Sequence, residues 1–261
     1  MNAFDKSHPM FEAKSSHVIE EPIIQIEHLV KSFGDNKVLT DFNLTLHRGE
    51  NIVVLGRSGC GKSVLIKCIV GLLNYDSGSI KVYGSEVRDL SQKQLDELRS
   101  KIGFVFQSSA LYDSMTVGEN LEFALRRHGK KLSVQEVDAL IRETLDNVGL
   151  YHAKDLMPSE LSGGMRKRVG LARSLVLKPL IMLYDEPTTG LDPITSKEIS
   201  NLMLQMQLKY HTSSIIISHD MHCAEMTADH MAIMIDGICY AEGSFEELKN
   251  SKDQKIKSFF E

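Results

Sequence analysis

The apolar run Ile52-Val53-Val54-Leu55 leads directly into Gly56-Arg57-Ser58-Gly59-Cys60-Gly61-Lys62-Ser63. Val64-Leu65-Ile66-Lys67-Cys68-Ile69 then continues as a helical stretch. A strand, a glycine-rich loop and a helix in that order leave few folds open. The pattern G-x-x-x-x-G-K-[ST] is a loop whose backbone N–H groups cradle phosphates at a helix start. The chain is therefore expected to be α/β and to bind a nucleotide. Lys62 would contact the β and γ phosphates and Ser63 would ligate magnesium, while the N–H groups of Gly59 to Lys62 hold phosphate oxygens. Gly56, Arg57, Ser58, Cys60 and Val64 complete the expected nucleotide-binding stretch.

A second phosphate-binding helix start lies at Leu161-Ser162-Gly163-Gly164-Met165. Ser162 can cap the helix that follows, and Gly163 and Gly164 let a phosphate approach its free N–H groups. Arg166, Lys167 and Arg168 lie in the first turn, where positive charge opposes the helix dipole at roughly 0.3 to 1 kcal/mol each. Two readings stand: a bound phosphate offsets that cost, or any one of the three belongs to a solvated basic face that pairs with nearby acids.

Two kinds of strand are expected. Ile24, Ile26 and His28, then Phe42, Leu44 and Leu46, then Ile80 and Val82 alternate as in a half-exposed antiparallel sheet. Ile52–Leu55, Leu180–Leu183, Ile215–Ile217 and Met231–Ile235 are continuous apolar runs, suited to parallel strands buried on both faces. Asp236-Gly237 reads as a hairpin turn. From about 108 to 160 the pattern is helical. Thr116 with Glu119 and Ser133 with Glu136 match the capping box, and Ser91 with Gln94 precedes them with another. Val137, Leu140, Ile141, Leu145 and Val148 keep helical spacing up to a stop at Gly149.

Asp185 and Glu186 end one apolar strand, at the sheet edge where ligands of open α/β sheets bind. Asp185 suits magnesium, as a direct or outer ligand, and Glu186 can polarise an attacking water. Gln107 ends Phe104-Val105-Phe106, and His219 ends another buried strand. Alone, each of these two reads equally as a strand-ending polar residue. Asp192 followed by Pro193 is a helix start, before Ile199, Leu202, Met203 and Met206.

Taken in order, the P-loop, Gln107, Leu161 to Met165, Asp185-Glu186, Gly190-Leu191-Asp192 and His219 resemble the ATP-binding cassette (ABC) ATPase domain over nearly all of 22–245. The resemblance implies a P-loop NTPase with a RecA-like core, an antiparallel β-subdomain and an inserted α-helical subdomain at about 108–160. It also implies ATP and Mg2+ as ligands. Gln107 would contact magnesium and water, Glu186 act as general base, Asp192 serve as the D-loop aspartate and His219 reach the γ-phosphate. Phe33 sits where the family stacks an aromatic on adenine; otherwise it is a core residue. In such a family Leu161 to Met165 is the signature loop, two copies pair head to tail, and Ser162, Gly163 and Gly164 of one complete the ATP site of the other.

Met165, the segment Ser108 to Val117 and Asp192-Pro193-Ile194-Thr195 are similar to the ATPase subunit of Mla-type, MCE-associated phospholipid transporters. That narrower resemblance implies a homodimer peripheral on the cytoplasmic face of a bacterial inner membrane, transmembrane permease subunits, and an MCE-domain lipid-binding protein. It implies lipid transport that maintains outer-membrane asymmetry. The alternatives are another ABC importer or exporter, or a soluble ABC ATPase such as one for iron-sulfur cluster assembly. Ala110, Leu111, Tyr112 and Met115 suit either permease docking or the core of the helical block. A net charge of −5 argues against nucleic acid as a partner. Cys60, Cys68, Cys223 and Cys239 lack metal or disulfide spacing, which fits a reduced cytosolic chain. Residues 1–21 read as a flexible leader and 246–261 as a tail, and Ser244 with Glu247 is a plausible cap at its start. In the tail, Phe259 and Phe260 point either to a sister subunit or back onto their own domain.

Overall fold

A computed structural model of the chain describes residues 22–127 and 132–261, so the leader expected over 1–21 lies outside the described residues. The chain opens with strands β1 (Ile24–Phe33), β2 (Asn36–Leu46) and β3 (Asn51–Gly56), then helix α1 (Lys62–Ile69). Strands β4 (Ser77–Val82) and β5 (Ser85–Glu86), helix α2 (Gln92–Arg99) and strand β6 (Ile102–Val105) follow. Three helices come next: α3 (Val117–Arg127), α4 (Val134–Asn147) and α5 (Gly163–Leu175). Then β7 (Ile181–Asp185), α6 (Pro193–Tyr210), β8 (Ser213–Ser218), α7 (Met221–Thr227) and the pair β9 (His230–Ile235) and β10 (Ile238–Gly243) complete the sheet. Helices α8 (Phe245–Lys249) and α9 (Gln254–Lys257) end the chain.

Among the described residues the strands form one sheet in the order β5-β4-β1-β2-β10-β9-β3-β8-β7-β6. β9, β3, β8, β7 and β6 run parallel, and the β1, β2, β4 and β5 side is antiparallel. The continuous apolar runs have a direct structural cause here. Val53 and Leu55 of β3 pack into one core with α3 to α6, and Ile52 and Val54 into another with α1, α2 and the antiparallel strands, so both faces are covered. Each such side chain contributes about 1.5 to 3 kcal/mol by leaving water.

The two parts of the sheet meet at the β9–β10 turn. Asp236 and Gly237 both have positive φ, as a type I′ hairpin requires. Thr40 of β2 donates its N–H to the Gly237 carbonyl at 3.0 Å and its hydroxyl to the Asp236 carbonyl at 2.9 Å. This turn therefore holds the antiparallel strands against the parallel core.

The expected caps form. Ser91 with Gln94, Ser133 with Glu136 and Ser244 with Glu247 make reciprocal capping boxes. Thr116 and Glu119 exchange the same pair of bonds. Gly149 takes a positive φ after α4, and Leu150 N–H returns to the Leu145 carbonyl at 2.8 Å.

Two expectations need correction. His28 does not share the inward phase of Ile24 and Ile26: it is exposed with φ +49, and the pairing register shifts between Ile26 and Leu29. The bulge hands the core position to Leu29, which is fully buried. Leu180 stands outside β7 and is 45% exposed, because the ladder to β6 and β8 starts at Ile181. The tail folds back on its own domain. Ile256 is buried, and the Phe260 ring meets Phe245 edge-on at 5.5 Å. Among the described residues no helix is long and apolar enough to cross a membrane.

Candidate functional site

β3, β6, β7 and β8 end along one edge of the sheet, and each delivers a polar group there. After β3, Gly61 adopts φ +111 as the residue before α1 and makes no side-chain cap bond. That conformation belongs to glycine, and it leaves the first N–H groups of α1 free for an anion. Lys62 folds back along the loop, donating to the Gly56 carbonyl at 2.7 Å and the Arg57 carbonyl at 3.1 Å.

β7 places Asp185 inside the edge and Glu186 just past it. The Ser63 hydroxyl donates to Asp185 Oδ1 at 2.8 Å. Burial pushes the Asp185 carboxyl above the usual carboxylate range, the Ser63 bond opposes that rise and the Glu186 charge adds to it. A buried carboxylate beside a hydroxyl is a hard oxygen donor pair that a cation would relieve, so these residues fit Mg2+. Among the described residues no group of three or more His, Cys, Asp and Glu is placed to hold a metal.

Glu186 turns out of the strand with φ +52 while its N–H still pairs with the Ile217 carbonyl of β8. Its Oε2 accepts from His219 Nδ1 at 2.6 Å and from the Thr189 hydroxyl at 3.1 Å, and Oε1 lies 3.5 Å from Lys62 Nζ. His219 is held at the edge because β8 has ended and Asp220 already caps α7, accepting from the N–H groups of His222 and Cys223. Thr188 donates its hydroxyl to the Asp220 carboxylate at 2.9 Å, linking the two strand ends.

A cleft of 570 Å³ gathers Ser58, Gly59, Gly61, Lys62, Ser63, Val64, Gln107, Glu186 and His219, together with Val38 and Thr189. Sequence reading missed the last two. Thr189 had a signal, a hydroxyl three residues beyond a strand-end carboxylate; Val38, on a distant strand, had none. Gly56 enters through its carbonyl. Arg57 and Cys60 instead line a smaller cavity of 280 Å³ behind the loop, where Arg57 Nη2 lies 3.4 Å from Ser258 Oγ. Phe33 is not among the residues lining the large cleft and is not core either. It is 48% exposed at the end of β1, with Lys31 Nζ 5.0 Å from its ring centre.

Ser162, Gly163, Gly164 and Asp192 line a separate cleft of 550 Å³ that shares none of the lining residues of the first. Ser162 caps α5, accepting from Met165 N–H, and Asp192 caps α6, accepting from Ile194 and Thr195 N–H. The two glycines differ in their surroundings. A Cβ on Gly163 would lie 3.7 Å from Leu191, an ordinary contact, whereas on Gly164 it would lie 2.8 Å from Thr195 Cγ2. Gly164 is thus required by the close approach of α5 to α6, and Gly163 is left open to the cleft.

The three basic residues do not behave alike: Arg168 pairs with a nearby acid, whereas Lys167 is buried. Arg166 Nη1 donates to the Leu161 carbonyl at 2.6 Å, and Arg168 bonds the Val148 carbonyl and Glu198. Lys167 is buried and donates to the carbonyls of Gln107 and Glu186. Burial pushes its pKa down, opposed by the charges of Glu186 and Asp185.

The family model described as ABC transporter matches residues 39–189. The chain is 39% identical over 236 residues to the probable ribonucleotide transport ATP-binding protein mkl of Mycobacterium tuberculosis, covering 90% of this chain. It spans 66% of that relative's length. It is 35% identical over 241 residues to the intermembrane phospholipid transport system ATP-binding protein MlaF of Haemophilus influenzae, covering 92% of this chain and 91% of MlaF. Among solved structures it resembles cbiO1 of Clostridium perfringens, part of the ABC transporter complex cbiONQ, with TM-score 0.81, 32% identity and coverage of 92% and 96%. It also resembles the ATP-binding cassette MJ0796, a dimer bound to ADP and Pi, with TM-score 0.77, 28% identity and coverage of 85% and 98%.

Proposed function

The chain belongs to the ABC transporter family and carries its ATPase fold, with a site for ATP and Mg2+; from that premise we propose that it powers phospholipid transport between the membranes of a bacterial envelope. The observation that carries the mechanism is the separation of the two clefts. A γ-phosphate seated on Lys62 and the α1 N-terminus belongs to one cleft, and the Ser162–Gly164 helix start faces another. Two copies arranged head to tail bring one of each together around each ATP.

In this reading Ser63, Asp185 and Gln107 hold the Mg2+, which neutralises phosphate charge when bound. Lys62 stabilises the β and γ oxygens. Glu186 takes the proton of the attacking water, and His219, hydrogen-bonded to the same carboxylate, keeps it aimed and reaches the γ-phosphate. Thr189 fixes the carboxylate from the other side. Phe33, exposed at the end of β1, is the surface on which adenine would stack. Asp192 sits in the signature cleft, where the second copy's nucleotide would approach.

Phospholipid is favoured as the cargo because the match to MlaF spans nearly the whole of both chains, whereas that to mkl leaves a third of mkl unmatched. The dimer would sit on the cytoplasmic face of the inner membrane, beneath a transmembrane permease and an MCE-domain lipid-binding protein. Co-purification of the full chain from detergent extracts tests this. A multi-spanning permease together with an MCE protein is the expected result, and a soluble partner alone would overturn it.

A further inference from the structure

We infer that Lys167 is a positioning residue for hydrolysis, tying the helix that starts at the signature loop to the backbone of Gln107 and Glu186 in the same chain. The inference rests on the ATPase reading above. Lys167 is 8% exposed, and a buried ammonium is costly unless its hydrogens are taken up. Its Nζ lies 2.5 Å from the Gln107 carbonyl and 3.4 Å from the Glu186 carbonyl. Both acceptors belong to residues whose side chains line the nucleotide cleft.

Neither carbonyl belongs to a regular strand. Glu186 has φ +52, and the segment after Gln107 contains Ser109 at φ +61 and Ala110 at φ +46. Left-handed backbone in such residues persists only when its surroundings hold it. One face of α5 does the holding. Lys167, Gly170 and Arg173 recur at intervals of three. Gly170 lies so close that a Cβ there would come within 3.0 Å of Ser109 Cβ, and Arg173 donates to the carbonyls of Ala110 at 2.6 Å and Ser109 at 3.1 Å. Lys167 is the member of this face that reaches Glu186 as well. The N-terminus of the same helix, about one turn before Lys167, carries Ser162 and Gly163, which face the second cleft. A packed helix moves as a body, so a shift of α5 at its N-terminus displaces the water-orienting Gln107 and the base Glu186 together.

The test uses the full chain and measures steady-state ATP hydrolysis, ATP affinity and melting temperature in parallel. Lys167→Met preserves length and burial and removes the donor. We expect kcat to fall about tenfold or more, while KM and ATP affinity stay within about threefold. Placed on a Gln107→Ala background, Lys167→Met should cost less than it does in the wild-type chain, because one of the two groups it positions is already gone. Lys167→Arg restores the charge and should retain most of the activity. The inference is overturned by an unchanged kcat, by equal losses in affinity and kcat, by full multiplicative loss on the Gln107→Ala background, or by an arginine variant as impaired as the methionine one. If the methionine variant does not fold, the arginine variant decides: a kcat retained to within about threefold supports the inference, and a kcat lost about tenfold or more overturns it. A wild-type chain that hydrolyses no ATP overturns the ATPase reading, and this inference with it.

Discussion

Glu186→Gln separates nucleotide binding from turnover, and the structure sets the size of both effects. The carboxylate is held between His219 Nδ1 at 2.6 Å and the Thr189 hydroxyl at 3.1 Å, with Lys62 at 3.5 Å. Glutamine keeps the volume and one oxygen that still accepts a hydrogen bond, and Lys62 retains the Gly56 and Arg57 carbonyls. The fold should therefore lose about 1 kcal/mol or less, a drop of about 2 to 4 °C in melting temperature for a chain of this size. What disappears is the group that accepts the water proton. General bases contribute about 10² to 10⁴ in rate, which at 1.36 kcal/mol per decade is about 3 to 5 kcal/mol of barrier. Phosphate release measures the loss, and light scattering with and without ATP measures association. The expected result is turnover down at least a hundredfold, with a dimer that forms on ATP addition and persists. A variant that releases phosphate within about tenfold of wild type would refute Glu186 as the base. One that stays monomeric with ATP would refute the composite two-copy site.

The two signature glycines should respond differently to alanine. Gly164→Ala places a Cβ 2.8 Å from Thr195 and should lower the melting temperature. Gly163→Ala meets nothing closer than 3.7 Å and should leave the melting temperature in place while weakening ATP-driven dimerisation. Equal melting losses would contradict this assignment. The His230–Glu242 pair predicts a pH dependence. His230 Nε2 lies 3.5 Å from Glu242 Oε2, and this contact raises the imidazole above its ordinary 6.5 and lowers the carboxyl below 4.5. The histidine's contribution is complete below the unfolded value of 6.5 and is lost as pH rises through the raised folded value. The carboxylate's contribution is complete above 4.5 and is lost as pH falls through the lowered one. The melting difference between wild type and Glu242→Gln should thus be largest near about pH 5.5 and shrink towards about pH 8.5. A difference that grows over that range would show that the pair is not the cause.

Much of the fold was legible because its signals are local. Capping boxes at Ser91, Ser133 and Ser244 join residues three apart, and the Asp236-Gly237 turn and the P-loop each occupy one short segment. Continuous apolar strands could be told from alternating ones because their burial differs on the two faces. The alternation failed at His28, where a bulge reverses the phase and no residue type announces it. For the site, the strand-end positions of Asp185, Glu186, Gln107 and His219 pointed to one edge, since parallel strands that begin together also end together.

What the sequence determined by itself is therefore the set of parts: a phosphate-binding loop, a second capped helix start, and polar groups at strand ends. These follow from backbone conformations and hydrogen bonds within a few residues. Only the tertiary structure decided which parts share a cleft. It put Thr189 and Val38 beside Lys62 and sent Arg57 and Cys60 to the rear of the loop. It also turned Lys167 from one of three apparent phosphate-facing cations into a buried donor to Gln107 and Glu186. The physical reason is range. Lys167 meets carbonyls 60 and 19 residues away in the chain, and Gly164 meets Thr195 across two helices. Such contacts exist only once the sheet has set the helices against one another, and no local pattern encodes them.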